Sequence, residues 1–165
     1  MSLATDSIFV TALQSNSDLL EKLTEYIDDD DNIQYDETPR LYGTAIGLPD
    51  EDADNVPVPY VIVTFDGLTN GQGTKDDIYE SPYDMVDIGV EVTAKTLDDL
   101  HTLTKMVRDT ILSYLRTNDT AIEYYQFGAQ KIQYDSMKPC YWQVLTYQCD
   151  TVNTHDDEQE SNSDI

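Results

Sequence analysis

The fold is decided by one stretch of sequence, residues 86–115, which reads VDIGVEVTAKTLDDLHTLTKMVRDTILSYL. Its first nine residues alternate, with valine or isoleucine at every second position from Val86 to Val92. Successive side chains of a strand point to opposite faces, so this alternation predicts a strand that buries one face. From Leu97 to Leu115 the apolar residues recur at helical spacing instead, which predicts an amphipathic helix of about five turns packed on a sheet.

The ends of this helix are marked by residues that cap helices. Thr96-Leu97-Asp98-Asp99 has the form of a capping box, with Asp in the place of the usual Glu. Asn118 and Asp119 follow the last apolar position and predict its C-terminal end.

A second strand is predicted at Tyr60–Phe65, directly after Val56-Pro57-Val58-Pro59, whose prolines favour extended backbone. It is apolar on both faces, which is typical of a central strand. We expect it to pair antiparallel with residues 86–94. The two strands would be joined by a long polar connection from Gly67 to Pro82.

Five further elements complete the predicted fold. Thr5 and Asp6 can cap an N-terminal helix, and Ser17 can cap a second short one. A short strand and turn are predicted within residues 39–47, and two closing strands at 129–135 and 141–149. Together these elements predict an α+β fold: a mainly antiparallel sheet of four to five strands, with an N-terminal helix and one long amphipathic helix packed on it. Residues 1–152 are expected to form a single domain, followed by an acidic tail at residues 153–165.

Composition excludes several classes of protein. The chain has 165 residues, with 33 Asp+Glu against 9 Lys+Arg and a formal net charge of −24. A surface this acidic will not bind nucleic acid or an anionic membrane through basic patches. A hydrophobic content of 39% with 12 tyrosines still permits a packed core. The scarcity of lysine favours a salt-loving source, with an acidic protein of an ordinary cell as the alternative.

The two cysteines are predicted to be free thiols. If residues 141–149 form one strand, Cys140 and Cys149 lie roughly 30 Å apart, well beyond disulfide reach. The sequence shows no secretion signal and no apolar run of the ~20 residues that span a bilayer, so no membrane association and an intracellular product are expected.

Clustered carboxylates in the loops are typical of calcium-binding sites, which take oxygen ligands at fixed positions. Asp28-x-Asp30-x-Asn32 begins like an EF-hand, but its twelfth position is Pro39 instead of Glu. The loop that starts at Asp50 fails in the same way, with Val61 at that position. Solvated acidic loops are the favoured interpretation, and an irregular oxygen site for a cation is the alternative.

Other catalytic and cofactor motifs are equally weak. The glycines between Gly67 and Lys75 have the wrong spacing for a phosphate-binding loop. The histidines are His101, on the polar flank of the long helix, and His155 in the tail. No catalytic, cofactor-binding or metal-binding residue is predicted, and the profile is that of a protein that acts by assembling.

The order of elements resembles the tail terminator (tail completion) proteins of long-tailed double-stranded DNA viruses. The resemblance covers about residues 5–150 and is a pattern of elements, without a signature motif. It is carried by the helix at Ile8–Leu13, the strand Arg40–Gly43, the Pro-led strand 57–63, the alternating strand 87–93 and the helix 97–115.

This resemblance implies a function as a structural virion protein. Such proteins form a homo-oligomeric ring, expected to be a hexamer, that caps the tail tube protein and halts its polymerisation. The ring then docks onto the head–tail connector protein, and DNA passes through its lumen without specific binding. The expected location is the tail or neck of the virion, after assembly in the host cytoplasm.

The connection after the central strand is the expected arm toward a neighbouring subunit or the tube. The candidate contact residues in and beside it are Gly67, Asn70, Gly71, Gly73, Lys75, Tyr79 and Tyr83. The acidic tail is expected to be ordered only by partners in an assembly. The alternatives are another neck protein, such as a head-completion or connector ring, and a monomeric acidic adaptor or DNA-mimic inhibitor.

Overall fold

A computed structural model describes residues 5–49, 56–70 and 83–152. The fold is α+β, with a mainly antiparallel main sheet, as predicted. The helices are α1 (Thr5–Gln14), α2 (Ser17–Lys22) and α3 (Leu97–Thr117). The strands are β1 (Glu25–Ile27), β2 (Ile33–Tyr35), β3 (Leu41–Gly43), β4 (Tyr60–Asn70), β5 (Tyr83–Ala94), β6 (Ile122–Ala129), β7 (Gln133–Asp135) and β8 (Cys140–Val152).

The main sheet has six strands, one more than the upper end of the predicted range. Its order is β3-β4-β5-β8-β6, and the short β7 pairs with β8 as well. Every pairing is antiparallel except that of β3 with β4, which is parallel. Strands β1 and β2 form a separate antiparallel hairpin, which the sequence reading missed because both strands are short and largely exposed.

The core lies between one face of this sheet and the helices. The predicted alternation in β5 is confirmed, since Val86, Ile88, Val90 and Val92 are at most 1% exposed. From α3 the buried residues are Leu100, Leu103, Val107 and Ile111. Phe9 of α1 packs against Tyr147 of β8, with ring centroids 4.9 Å apart. Burial of this apolar face is the main contribution to stability, because each Å² of apolar surface removed from water stabilises the fold by roughly 25 cal/mol.

Strand β4 is internal, as predicted, and pairs antiparallel with β5. Val61 lies opposite Val92, and Val63 opposite Val90. The prediction that the polar connection begins at Gly67 was wrong. A bulge between Phe65 and Gly67 shifts the register, after which β4 continues to Asn70.

The predicted closing strands are confirmed in part. Strand β8 covers residues 141–149 and extends three residues beyond them to Val152. The single strand predicted at 129–135 was wrong: β6 ends at Ala129, β7 begins at Gln133, and Ile132 lies between them. Strand β6 was missed because an edge strand shielded on one side only needs no clean apolar alternation.

The helix caps are confirmed at α3 and corrected at α2. Thr96 Oγ1 accepts a hydrogen bond from the Asp99 backbone N–H at 3.1 Å, and Asn118 is the C-cap. Leu97, predicted on the apolar face, is the first residue of the helix and is 41% exposed. Helix α2 is capped by Asn16, whose Oδ1 accepts from two backbone N–H groups, and not by Ser17.

Both cysteines are free thiols, as predicted, and the structure buries both of them in β8. Among the described residues, no helix is long and apolar enough to cross a membrane. The second acidic loop at 50–55 and the tail at 153–165 lie outside the described residues.

Candidate functional site

The predicted contact residues fall on one end of the sheet, so far as the structure describes them. Asn70 is the last residue of β4 and pairs with Asp84, and Tyr83, the first residue of β5, pairs with Val152 of β8. Asn70, Tyr83 and Val152 therefore lie at the same end of the sheet, which we call the loop end. Gly71, Gly73, Lys75 and Tyr79 lie outside the described residues.

Gly67 serves backbone geometry. Its φ of 154° lies in a region that L side chains rarely adopt, and it sits at the bulge, opposite Asp87. The bulge allows pairing to resume beyond it, so Gly67 extends the β4–β5 pair toward the loop end. This is a different role from the subunit contact that the sequence predicted for it.

A second surface lies at the opposite end of β4 and β5. It is an apolar groove of about 380 Å³ between the β1–β2 hairpin and the start of α3, which we call the hairpin groove. Its apolar lining includes Tyr26, Ile27, Ile33, Pro59 and Leu103. Ile33 lines the groove from the hairpin side, yet 62% of it is exposed, so part of its apolar side chain faces solvent.

The hairpin is fastened by Arg40, which is buried at the base of β3. Arg40 Nε donates to Pro59 O at 2.9 Å, Nη1 donates to Thr24 O at 3.2 Å, and Nη2 donates to Glu25 O. Its guanidinium also lies 5.4 Å from the centroid of the Tyr26 ring. One feature of the sequence could have indicated this role of Arg40: it is the single arginine between the acidic stretches 28–31 and 50–54.

The turn of this hairpin uses its carboxylate internally. Asp28 Oδ1 accepts from the backbone N–H groups of Asp30 and Asn32, at 3.0 and 2.9 Å. The hydrogen bonds from Asn32 and from the Gln34 amide lower the pKa of Asp28. The segment that begins like an EF-hand is therefore an acidic turn, and no group of three or more potential metal ligands occurs within residues 5–49, 56–70 and 83–152.

The third surface is the face of the sheet turned away from the helices, which we call the open face. Alternation directs Ile62, Glu91 and Val144 to this face, where they stand side by side on β4, β5 and β8. Burial raises the pKa of the Glu91 carboxyl above its usual value. The described residues supply no ion pair to Glu91.

Toward the loop end the open face becomes polar. A cleft of about 320 Å³ there is lined by Asp66, Asp87, Gln126, Thr146 and Gln148, among others. A Cβ added to Gly128 would lie 2.7 Å from Thr146 Oγ1. Because residue 128 has no side chain, the cleft stays open at this point of β6.

The outer side of α3 carries charges of both signs, because Asp98 and Asp109 lie on it together with Lys105 and Arg116. Lys105 and Arg116 are exposed there, while Arg108 flanks the sheet with its guanidinium 4.0 Å from the centroid of the Phe127 ring. These three residues are a third of the 9 Lys+Arg of the chain. His101 is exposed on this helix, where the sequence predicted it.

No family model matches this chain, and no curated protein sequence matches it.

Proposed function

We propose that this chain is a ring-forming tail terminator, a structural virion protein that caps the tail tube and joins it to the head-side connector. The proposal starts from the resemblance in the order of elements. The observation that carries it is the presence of two dissimilar surfaces at opposite ends of one sheet.

Strand β5 separates these surfaces. It begins at Tyr83, at the loop end, and finishes at Ala94, which lines the hairpin groove. At 3.3 Å per residue the two ends are roughly 36 Å apart. The hairpin groove is apolar and held by Arg40, whereas the cleft toward the loop end is lined by polar side chains such as Asp66, Asp87 and Gln148. A protein that joins two different partners along one axis needs two such unlike surfaces.

Charge supports the same function. The four long strands, β4, β5, β6 and β8, contain no Lys or Arg. A ring around moving DNA should not hold phosphates, and carboxylates without neighbouring cations repel them. DNA would therefore pass such a ring without binding to it.

Deleting the gene and imaging the particles by electron microscopy tests the proposal. Without a terminator, tube polymerisation has no stop, so overlong tails that fail to attach to heads are expected. Supplying the wild-type chain in trans should restore both tail length and attachment.

The same images separate the alternatives. Tails of normal length that remain free of heads would indicate another neck protein, such as a head-completion or connector ring. Particles indistinguishable from wild type would show that the chain has no part in tail assembly.

A further inference from the structure

We propose that two copies of this chain pair through the outer edge of β6, antiparallel about a twofold axis at Phe127, so that their main sheets become one continuous sheet. The inference goes beyond the proposed function and does not rest on it. A ring needs a contact between two different surfaces of the chain, whereas a twofold contact joins the same surface of both copies. The β6 edge is therefore an interface separate from the contact within a ring.

The outer edge of β6 carries unpaired backbone groups. Strand β6 pairs with β8 on one side and ends the main sheet on the other. Just beyond β6, Gln130 N–H donates to Val144 O at 2.9 Å, which identifies these two residues as a hydrogen-bonded pair of the ladder. Such pairs alternate along an antiparallel ladder, so Tyr125, Phe127 and Ala129 direct their N–H and C=O groups away from β8. Within the part of the chain that the structure describes, no backbone group bonds to these outward groups.

The opposite edge of the sheet, at β3, is protected by its own turn. Gly43 N–H donates to Gly47 O at 2.9 Å, and Gly47 N–H donates to Gly43 O at 2.8 Å. Strand β3 is also only three residues long, against eight in β6. Short strands, prolines and lysines are the usual protection of a sheet edge. Residues 124–130 of the β6 edge contain no proline and no charged residue, so this edge is the one open to a further strand.

The charges that flank this edge are complementary in the antiparallel direction. Glu123 lies in the bulge at the start of β6, Lys131 lies between β6 and β7, and Phe127 is midway between them. Both charged side chains are exposed. A twofold axis at Phe127 places Glu123 of one copy beside Lys131 of the other, once at each end of the contact. Opposite charges that face each other across two strands stabilise the pairing. This complementarity identifies a second copy of the chain as the occupant of the edge.

The residues between these charges fit the same register. A large side chain faces a small one in two pairs, since Tyr125 lies opposite Ala129 and Gln126 lies opposite Gly128. The register also pairs outward backbone groups with outward backbone groups, because Tyr125, Phe127 and Ala129 face one another. Tyr125 and Phe127 are half-buried in the single chain, so pairing removes more aromatic surface from water.

Repulsion between the two copies opposes the pairing and is screened by salt. Each copy carries a net charge of −24, and the Arg108 guanidinium, 4.0 Å from the centroid of the Phe127 ring, would lie near its symmetry mate. Concentrated salt screens both repulsions, so the dimer should be most stable there. Salt also weakens the exposed Glu123–Lys131 pairs, so charge variants must be compared at one salt concentration.

A proline tests the edge itself. Ala129→Pro removes an outward N–H and places a ring in the path of the added strand, while the hydrogen bonds to β8 remain. By light scattering, the wild-type chain should form a dimer of twice 18.7 kDa where Ala129→Pro is a monomer. Ala129→Ser keeps the N–H and should dimerise as the wild type does. If the wild type also forms rings, its assembly should contain twice as many copies as that of Ala129→Pro.

Amide exchange reports the same contact residue by residue. Exchange at Tyr125 and Phe127 should slow as the wild-type concentration is raised, because their N–H groups become bonded to the second copy. Exchange at Gln126 should change little, because its N–H is already directed toward β8.

Charge reversals test the register. Glu123→Lys alone, or Lys131→Glu alone, places like charges together at both ends and should raise the Kd of the dimer roughly tenfold. The double variant restores opposite charges and should recover the wild-type Kd, as should an equimolar mixture of the two single variants. Asp29→Lys and Lys105→Glu are matched controls that change the net charge equally away from the edge, and they should leave the Kd unchanged. Circular dichroism melting checks that each variant is folded.

Four outcomes would overturn the inference. If the wild-type chain is monomeric at every salt and protein concentration, or if folded Ala129→Pro keeps the wild-type mass, the β6 edge does not pair with a second copy. If the amides of Tyr125 and Phe127 are already protected in the monomer, another segment of the same chain covers the edge. If the double charge variant dimerises as weakly as the single variants, the twofold register at Phe127 is wrong. The deletion phenotype decides the proposed function independently of all four.

Discussion

Arg40 Nη1 lies 2.6 Å from Asp36 Oδ2, and this pair closes the base of the β1–β2 hairpin. The two partners differ in burial, since Arg40 is 3% exposed and Asp36 is 37% exposed. The guanidinium also donates to three backbone carbonyl groups, of Thr24, Glu25 and Pro59. We infer that these carbonyl contacts, more than the ion pair, hold the hairpin and its groove in place.

Arg40→Met is therefore expected to destabilise the chain by about 3 kcal/mol, because it leaves buried carbonyl groups without donors. Asp36→Asn should cost less than about 1 kcal/mol, since Asp36 is itself partly in solvent and Arg40 keeps its backbone acceptors. Urea unfolding at constant salt measures both. Equal losses for the two variants would contradict the assignment, and amide exchange at Tyr26 and Gln34 should accelerate only in Arg40→Met.

Gly89 is required by the side chain of Asp66. A Cβ at residue 89 would lie 2.5 Å from Asp66 Oδ2, which is held nearby because Thr64 Oγ1 donates to Asp66 Oδ1 at 2.8 Å. Gly89→Ala should cost about 1 kcal/mol in the wild-type chain. In an Asp66→Ala background the penalty should become smaller, because the nearest atom is removed, but it should not vanish, because Thr64 Oγ1 still lies 2.9 Å from the added Cβ.

Gly43 provides the matched comparison for this cycle. Its Cβ would meet the backbone oxygen of Val63 at 2.8 Å, and a paired strand cannot rotate that atom away. Gly43→Ala should therefore destabilise the chain equally with and without Asp66, as measured by thermal melting. A Gly89→Ala penalty that Asp66→Ala fails to relieve would rule out the proposed contact.

Glu91 should make stability depend on pH. Its pKa is raised by burial in the folded chain above the 4.5 of a free carboxyl, so the folded state retains a proton that the unfolded state has released. The contribution of Glu91 to the free energy of unfolding must then decline as pH rises from 4.5 through the pKa of the folded state. Glu91→Gln lacks this titration and should gain stability relative to wild type over that range, by less than about 1 kcal/mol.

The measurement for Glu91 is the difference in unfolding free energy between wild type and Glu91→Gln at several pH values in one salt concentration. The other carboxylates titrate in both proteins, so the difference isolates residue 91. A difference that is flat with pH, or that favours wild type as pH rises, would contradict the burial argument.

The thiols should be unreactive in the folded chain. Burial raises the pKa of Cys149 to about 12 and moves the pKa of Cys140 in the same direction. Because the thiolate is the reactive species, an aromatic disulfide reagent at pH 8 should label both only after urea is added. Rapid labelling of the native chain, or none after unfolding, would argue against two buried free thiols.

Much of the architecture could be predicted from local pattern. The alternation from Val86 to Val92 and the helical spacing up to Leu115 each specify an element and its buried face. The Thr96 cap was equally readable, because a cap depends on residues three positions apart. The hairpin strands β1 and β2 and the edge strand β6 could not be predicted in this way, because they carry too little apolar alternation.

The candidate surfaces were predictable only in part. The sequence indicated a connection after the central strand, and the structure brings Asn70 and Tyr83 to one end of the sheet. The sequence could not show that Val152 lies beside Tyr83, that Gly67 lies at a bulge, or that Glu91 lies between Ile62 and Val144. Each of these facts depends on which strand pairs with which, and in what register.

The sequence by itself determined the α+β class, the buried faces of β5 and α3, and the free state of the cysteines. It also determined the acidity, a sum over residues that no fold alters. Only the tertiary structure decided the strand order, the carbonyl partners of Arg40 and the separation of the open face from α3. The physical reason is range: periodicity and capping act within a few residues, whereas these features join segments far apart in the chain.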